Sequence, residues 1–135
     1  MFDVFLLPAN TVVTGKGDSQ AIDVTAAVHR IFLMTLSISA VVEQEAIDVS
    51  IFTSADGATW DTTPVAVLSQ KFYVGEYPML VDLSASPDAK FIRAHWEVNR
   101  WGRGLMALHF AIGLRLREVS PQDLTEAAAG ASTRG

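Results

Sequence analysis

Apolar and polar positions alternate along most of this chain, and that period of two predicts strands rather than helices. In the stretch from Lys90 to Asn99, Ile92, Ala94, Trp96 and Val98 fall on one side, and Arg93, His95, Glu97 and Asn99 on the other. Leu105 to Arg117 repeats the pattern, with Met106, Leu108, Phe110, Ile112, Leu114 and Leu116 on a single face and the small or basic residues Ala107, His109, Ala111, Gly113, Arg115 and Arg117 opposite. From His29 to Val42, Phe32, Met34, Leu36, Ile38 and Ala40 are predicted to face a core. The other side begins apolar at Ile31 and Leu33 and turns polar through Thr35, Ser37 and Ser39. Ile47, Val49 and Ile51 alternate with Asp48 and Ser50 in a further strand.

Weaker patterns fill the gaps. Met1 to Pro8 reads as a first strand and Asn10 to Thr14 as a short β-prone piece, with the glycines of 15–19 favouring a turn before a half-buried strand at 20–25. Pro64 to Val74 reads as a strand with Val65, Val67 and Leu68 inward, then Phe72 and Val74, Gly75 to Pro78 as a turn, and Met79 to Leu83 as a short strand closed by turn residues at 84–88. The Asp56-Gly57 pair tolerates positive φ and predicts a hairpin or loop there, with Trp60 folding back to plug that end. About eight strands without an amphipathic helix predict an all-β, antiparallel two-sheet β-sandwich of jelly-roll type. It should form one domain over residues 1–119, followed by a flexible C-terminal tail over 120–135, where no apolar face recurs.

Composition adjusts this picture in three ways. No cysteine is present, so disulfides and thiolate metal sites are excluded and the core must hold the fold by packing. Half the residues are hydrophobic and the mean hydropathy is +0.28, high for a small monomer, yet no apolar run reaches membrane-spanning length. This suits a subunit that buries surface against neighbours. The N-terminus lacks a basic segment and a cleavage site, so neither a signal peptide nor a membrane anchor is expected. The net charge of −5 argues against nucleic-acid binding. That charge is unevenly spread: six basic residues against Glu97 alone leave 90–117 at +5 and the rest of the chain at −10. Such asymmetry can steer a contact between copies or with an acidic partner.

Catalytic chemistry finds little footing. There is no G-x-S-x-G elbow, and nothing in the spacing of the aspartates selects a hydrolytic pair. His95, Glu97 and His109 could meet across a hairpin as a metal half-site, but the flanking Arg93 and Arg115 oppose a cation, so no metal and no cofactor is expected. The favoured recognition residues are Arg100, Trp101 and Arg103 in a glycine-containing loop, with Arg93, His95 and Arg115 on the adjoining basic face, because arginine and tryptophan most often dominate interfaces. Asp56, Gly57 and Trp60 are assigned a structural role in the turn.

The run Ser54-Ala55-Asp56-Gly57-Ala58-Thr59-Trp60, followed later by Lys90-Phe91-Ile92-Arg93-Ala94-His95-Trp96, resembles the S-x-D-G-x-x-W and (Y/F)-(I/V)-R elements of galactose-binding-like, discoidin-type jelly rolls. It is also similar to small β-sandwich proteins of tailed-phage virions. The resemblance implies that Asp56, Gly57 and Trp60 shape one end of the sandwich, and it transfers no ligand residue. Combined with the apolar content and charge asymmetry, it leads to the expectation of a non-enzymatic structural protein that forms a homo-oligomer or docks on a larger particle. A phage capsid decoration, neck or tail component, located in a virion assembled in the host cytoplasm, fits this description. The alternative is a carbohydrate-binding module using the loop around Trp101.

Overall fold

A computed structural model describes residues 3–41, 45–71, 73–100, 110–120 and 122. Among them nine strands form: β1 (Asp3–Val13), β2 (Lys16–Asp18), β3 (Ile22–Asp23), β4 (Ile31–Val41), β5 (Glu45–Ser54), β6 (Ala66–Lys71), β7 (Gly75–Asp82), β8 (Phe91–Arg100) and β9 (Phe110–Glu118). They build two antiparallel sheets, ordered β1-β9-β4-β7 and β2-β8-β5-β6, with β3 joining β8 on the same edge as β2. The predicted all-β sandwich is therefore present. Taking β2 and β3 as one interrupted strand, the pairs β1–β9, β2/β3–β8, β4–β7 and β5–β6 nest inside one another. The chain thus follows one long antiparallel ribbon rolled over itself, the strand order of a jelly roll.

Alternation sets which faces meet. Phe32, Met34, Leu36 and Ile38 of β4, and Phe110, Ile112, Leu114 and Leu116 of β9, are almost wholly buried. They pack in one cluster with Ile47, Val49 and Ile51 of β5 and Ile92, Ala94, Trp96 and Val98 of β8. Each large aliphatic or aromatic side chain sealed in this way contributes about 1.5–3 kcal/mol relative to exposure. At the far ends of β9 and β4, the Glu118 carboxylate, 2 % exposed, accepts the His29 backbone N–H at 2.8 Å.

Several predicted boundaries shift, each for a local reason. The first two apolar pieces are one strand, β1, in which four residues of β1 span two of β9 between Leu7 and Thr11. Asn10 takes φ 63° there. The resulting bulge lays Ala9 across Gly113, where a Cβ would sit 2.9 Å from the Ala9 Cα, so the close approach allowed by the small residues of β9 is made by the chain's own first strand. The expected 15–19 turn is instead strand β2 from Lys16, entered through Gly15 at φ +67°. The expected turn at Gly75–Pro78 is the start of β7, paired with β4 from Gly75↔Ile38 onward; Pro78 is tolerated because β7 is an edge strand. Ala40 is exposed rather than inward, because the β4–β9 register slips between Ile38 and Ala40. Val65, Val67 and Val74 also face solvent, at 36 %, 60 % and 61 % exposure, and Phe72 lies outside the described residues. Val67 lies opposite the outward Ser50, which leaves Leu68 as the inward residue of β6. Met106, Leu108 and the C-terminal tail, Ser120 and Gln122 apart, lie outside the described residues.

Gly17 stands opposite Trp96, and a Cβ there would lie 2.5 Å from the indole. Because the Trp96 ring is buried among core residues, it has little room to retreat. Gly17→Ala is expected to lower the unfolding free energy by about 1–3 kcal/mol in urea titration, and an unchanged midpoint would show that the ring is free to move.

Candidate interaction surfaces

The expected recognition residues divide between two surfaces. β8 and β9 are consecutive in sequence but belong to different sheets, so Arg93 and His95 face outward from the β2-β8-β5-β6 sheet, whereas Arg115 and Arg117 face outward from the other. The basic stretch 90–117 therefore does not form one basic face. Nor do β8 and β9 form the hairpin across which His95, Glu97 and His109 were to converge. His109 lies outside the described residues, as do Trp101 and Arg103; Arg100 is described only as the last β8 residue, paired with Glu45. Among the described residues no three His, Asp or Glu side chains gather as a metal site, and no helix is long and apolar enough to cross a membrane.

On the β8 surface the charges answer one another. Strand β2 brings Asp18 opposite His95 and Lys16 opposite Glu97. Asp18 Oδ1 lies 2.9 Å from His95 Nδ1 and 3.9 Å from Arg93 Nε, and Lys16 Nζ lies 3.2 Å from Glu97 Oε1. The Arg93 guanidinium lies over the Trp60 ring, 4.3 Å from its centroid, and Phe52 meets the His95 ring edge-on at 6.2 Å. Asp48, opposite Glu97, accepts the Asn99 side-chain amide at 3.1 Å, and exposed ion pairs of this kind are individually worth little. Trp60 does fold back onto the hairpin, bridging to Ser54, yet it is only half-buried on this outer surface and does not plug the core. The core indole is Trp96.

The Asp56-Gly57 turn is built from side-chain bonds. Asp56 Oδ1 accepts the backbone N–H groups of Ala58 and Thr59, both at 2.8 Å, while Gly57, at φ +81°, donates its N–H to the buried Ser54 hydroxyl at 2.9 Å. Ser54 Oγ in turn donates to the Thr59 carbonyl at 2.6 Å. These bonds explain the S-x-D-G-x-x-W spacing as a loop that closes on itself, with five residues between the bridged Ser54 and Trp60. The assigned structural role needs no ligand at these residues.

The β9 surface differs. Its cross-strand rows run Asp3–Arg117–Leu33–Leu80 and Phe5–Arg115–Thr35–Pro78, so apolar side chains lie beside charged ones. Arg115 holds Asp3 through two bonds, Nε to Oδ1 at 2.8 Å and Nη2 to Oδ2 at 2.6 Å. That fork ties down the start of β1, holds the Asp3 carboxyl below its usual range and raises the Arg115 guanidinium. A groove of about 380 Å³ opens here, lined by Phe5, Leu33, Glu76, Arg115 and Arg117 among others. Sequence reasoning missed Phe5 and Glu76 because nothing local reveals that β1 and β7 are the two edges of one sheet.

No protein family, curated protein or solved structure matches this chain. The likeness to discoidin-type and phage sandwiches accordingly rests on the short motifs alone, and what the fold establishes is the β-sandwich.

The Asp56 carboxyl is held below its ordinary value near 3.8, first by the Thr59 N–H and then by the Ala58 N–H. A depressed carboxyl contributes stability that is complete above the unfolded value and lost as pH falls through the lowered folded one. Stability is therefore expected to fall as pH drops below the ordinary carboxyl value near 3.8, and less steeply in Asp56→Ala. Parallel pH profiles of wild type and variant would contradict this account of the loop.

Proposed function

We propose that the protein is a non-enzymatic assembly protein that works by docking the outer face of its β1-β9-β4-β7 sheet on another protein surface. The sequence resemblance favours a tailed-phage virion component, such as a capsid decoration, neck or tail protein, built into particles in the host cytoplasm. The observation that carries the reading is the apolar exposure of that one face. Phe5 is 48 %, Val12 63 % and Leu80 45 % exposed, and all three share the face with half-buried Leu33 and Ile31. Large side chains gathered on one sheet face mark an interaction surface more often than a chance distribution does. The opposite sheet supports the same reading by contrast, since Arg93, Lys16, Asp18 and Glu97 on its outer surface have ionic partners within the chain.

Sedimentation velocity over a concentration series tests this reading. Wild type is expected to associate, and Phe5→Thr/Leu80→Thr, which keeps strand-compatible residues, is expected to weaken association by at least about tenfold, on the scale of burying two large apolar side chains. A wild type that stays monomeric throughout, or a variant that associates equally well, would overturn it.

A further inference from the structure

We infer that residues 123–126 of the chain itself bind the Arg117–Leu33–Leu80 end of the outer β1-β9-β4-β7 face and compete there with the protein partner. The competition rests on the assembly reading above; the contact does not. It begins with an uncompensated charge. Arg117 stands opposite Asp3 on β1 and Leu33 on β4, with Leu80 of β7 next in the row. Asp3 gives both carboxylate oxygens to the Arg115 fork, and Arg117 enters no hydrogen bond or ion pair among the described residues. Two arginines against one carboxylate leave the β9 side of this corner positive, beside two leucines. On the β7 side Asp82, opposite Ile31, is outward and acidic. The complement is an apolar side chain for the leucines, carried with a carboxylate that turns toward β9.

The sequence holds such a segment directly downstream. β9 ends at Glu118, and Val119 donates its N–H to the Ile31 carbonyl at 2.9 Å, so the chain leaves the sheet one outward row beyond Leu33. In residues 121–135 Leu124 is the single large apolar side chain, and Asp123 and Glu126 are the only acidic ones. From Val119 to Leu124 the backbone reaches up to about 17 Å. Strand rise and spacing put Leu33 about 8 Å and Leu80 about 12 Å from Val119. The segment can therefore lay Leu124 on Leu33 and Leu80 while its carboxylates meet Arg117, whose fork of N–H donors serves both. Attachment through so few residues gives it a high effective concentration, so a contact too weak to hold a separate peptide is populated within the chain.

Because the chain has no cysteine, Thr125→Cys gives a unique site for a nitroxide spin label. In the full chain, at a concentration where sedimentation shows monomer, the Leu33 and Leu80 methyl resonances are expected to lose most of their intensity to the label. They should regain it when Leu124→Ser or Arg117→Gln is added, while Asp18 and His95 on the other sheet keep theirs throughout. Without the label, Leu124→Ser is expected to tighten association about threefold, the factor for a face that its own chain covers two-thirds of the time. Broadening that ignores both substitutions would come from attachment alone and would overturn the inference. So would equal broadening of isotope-bearing copies that carry no label, mixed with labelled ones, since the segment would then come from a neighbour. If Phe5→Thr/Leu80→Thr weakens association while Leu124→Ser changes neither the broadening nor the association, the assembly reading stands and this inference falls. A label effect intact in a protein that never associates would sustain the contact and remove the assembly reading instead.

Discussion

Everything in this structure depends on two central strand pairs, β4–β9 and β5–β8, keeping their inward faces in register along the core, β4–β9 from Phe32 to Ile38 and β5–β8 throughout. Because side chains alternate with a period of two, a slip of one residue in either pair would turn its core set to solvent. The chain guards against that slip at several points. The His29 N–H on the Glu118 carboxylate marks one end of the β4–β9 pair, Gly17 leaves room for the Trp96 indole beside β8, and the Arg115 fork on Asp3 secures β1 along β9. Irregularity is confined to edge strands and to the Ile38/Ala40 slip.

Where both neighbours of a strand are fixed by its own alternation, the sequence is easy to read. β4, β5, β8 and β9 were legible in this way, and so was the sandwich, because four strongly alternating segments without a helix leave few other architectures. Edge strands were harder. Pro78 and Gly75 carry turn chemistry, yet pairing with β4 makes them strand; Gly15 and Gly17 do likewise beside β8. No local signal reports which neighbour a segment will find. The candidate site suffered most from this. Arg93 and Arg115 seemed to share a face because β8 and β9 follow one another, but in a rolled ribbon consecutive strands can cross between sheets.

The two outer faces do different work as a result. On the β8 face, Asp18 lies against Arg93 and the His95 ring, Lys16 pairs with Glu97, and the Arg93 guanidinium lies over Trp60. On the β9 face Arg115 is tied to Asp3, while Arg117 and Glu76 enter no ion pair among the described residues. A β-sandwich has two broad surfaces, and here one carries several ion pairs within the chain while the other exposes Phe5, Val12 and Leu80; the proposed docking uses the second. The high apolar fraction of the chain is accommodated partly in the core and partly on that open face.

The most direct measurement of this asymmetry is a dilution series followed by residue-resolved NMR. Resonances of Phe5, Leu33 and Leu80 should shift with concentration while those of Asp18, Trp60 and His95 stay fixed. Shifts confined to the β8 face, or no concentration dependence at either face, would contradict the account.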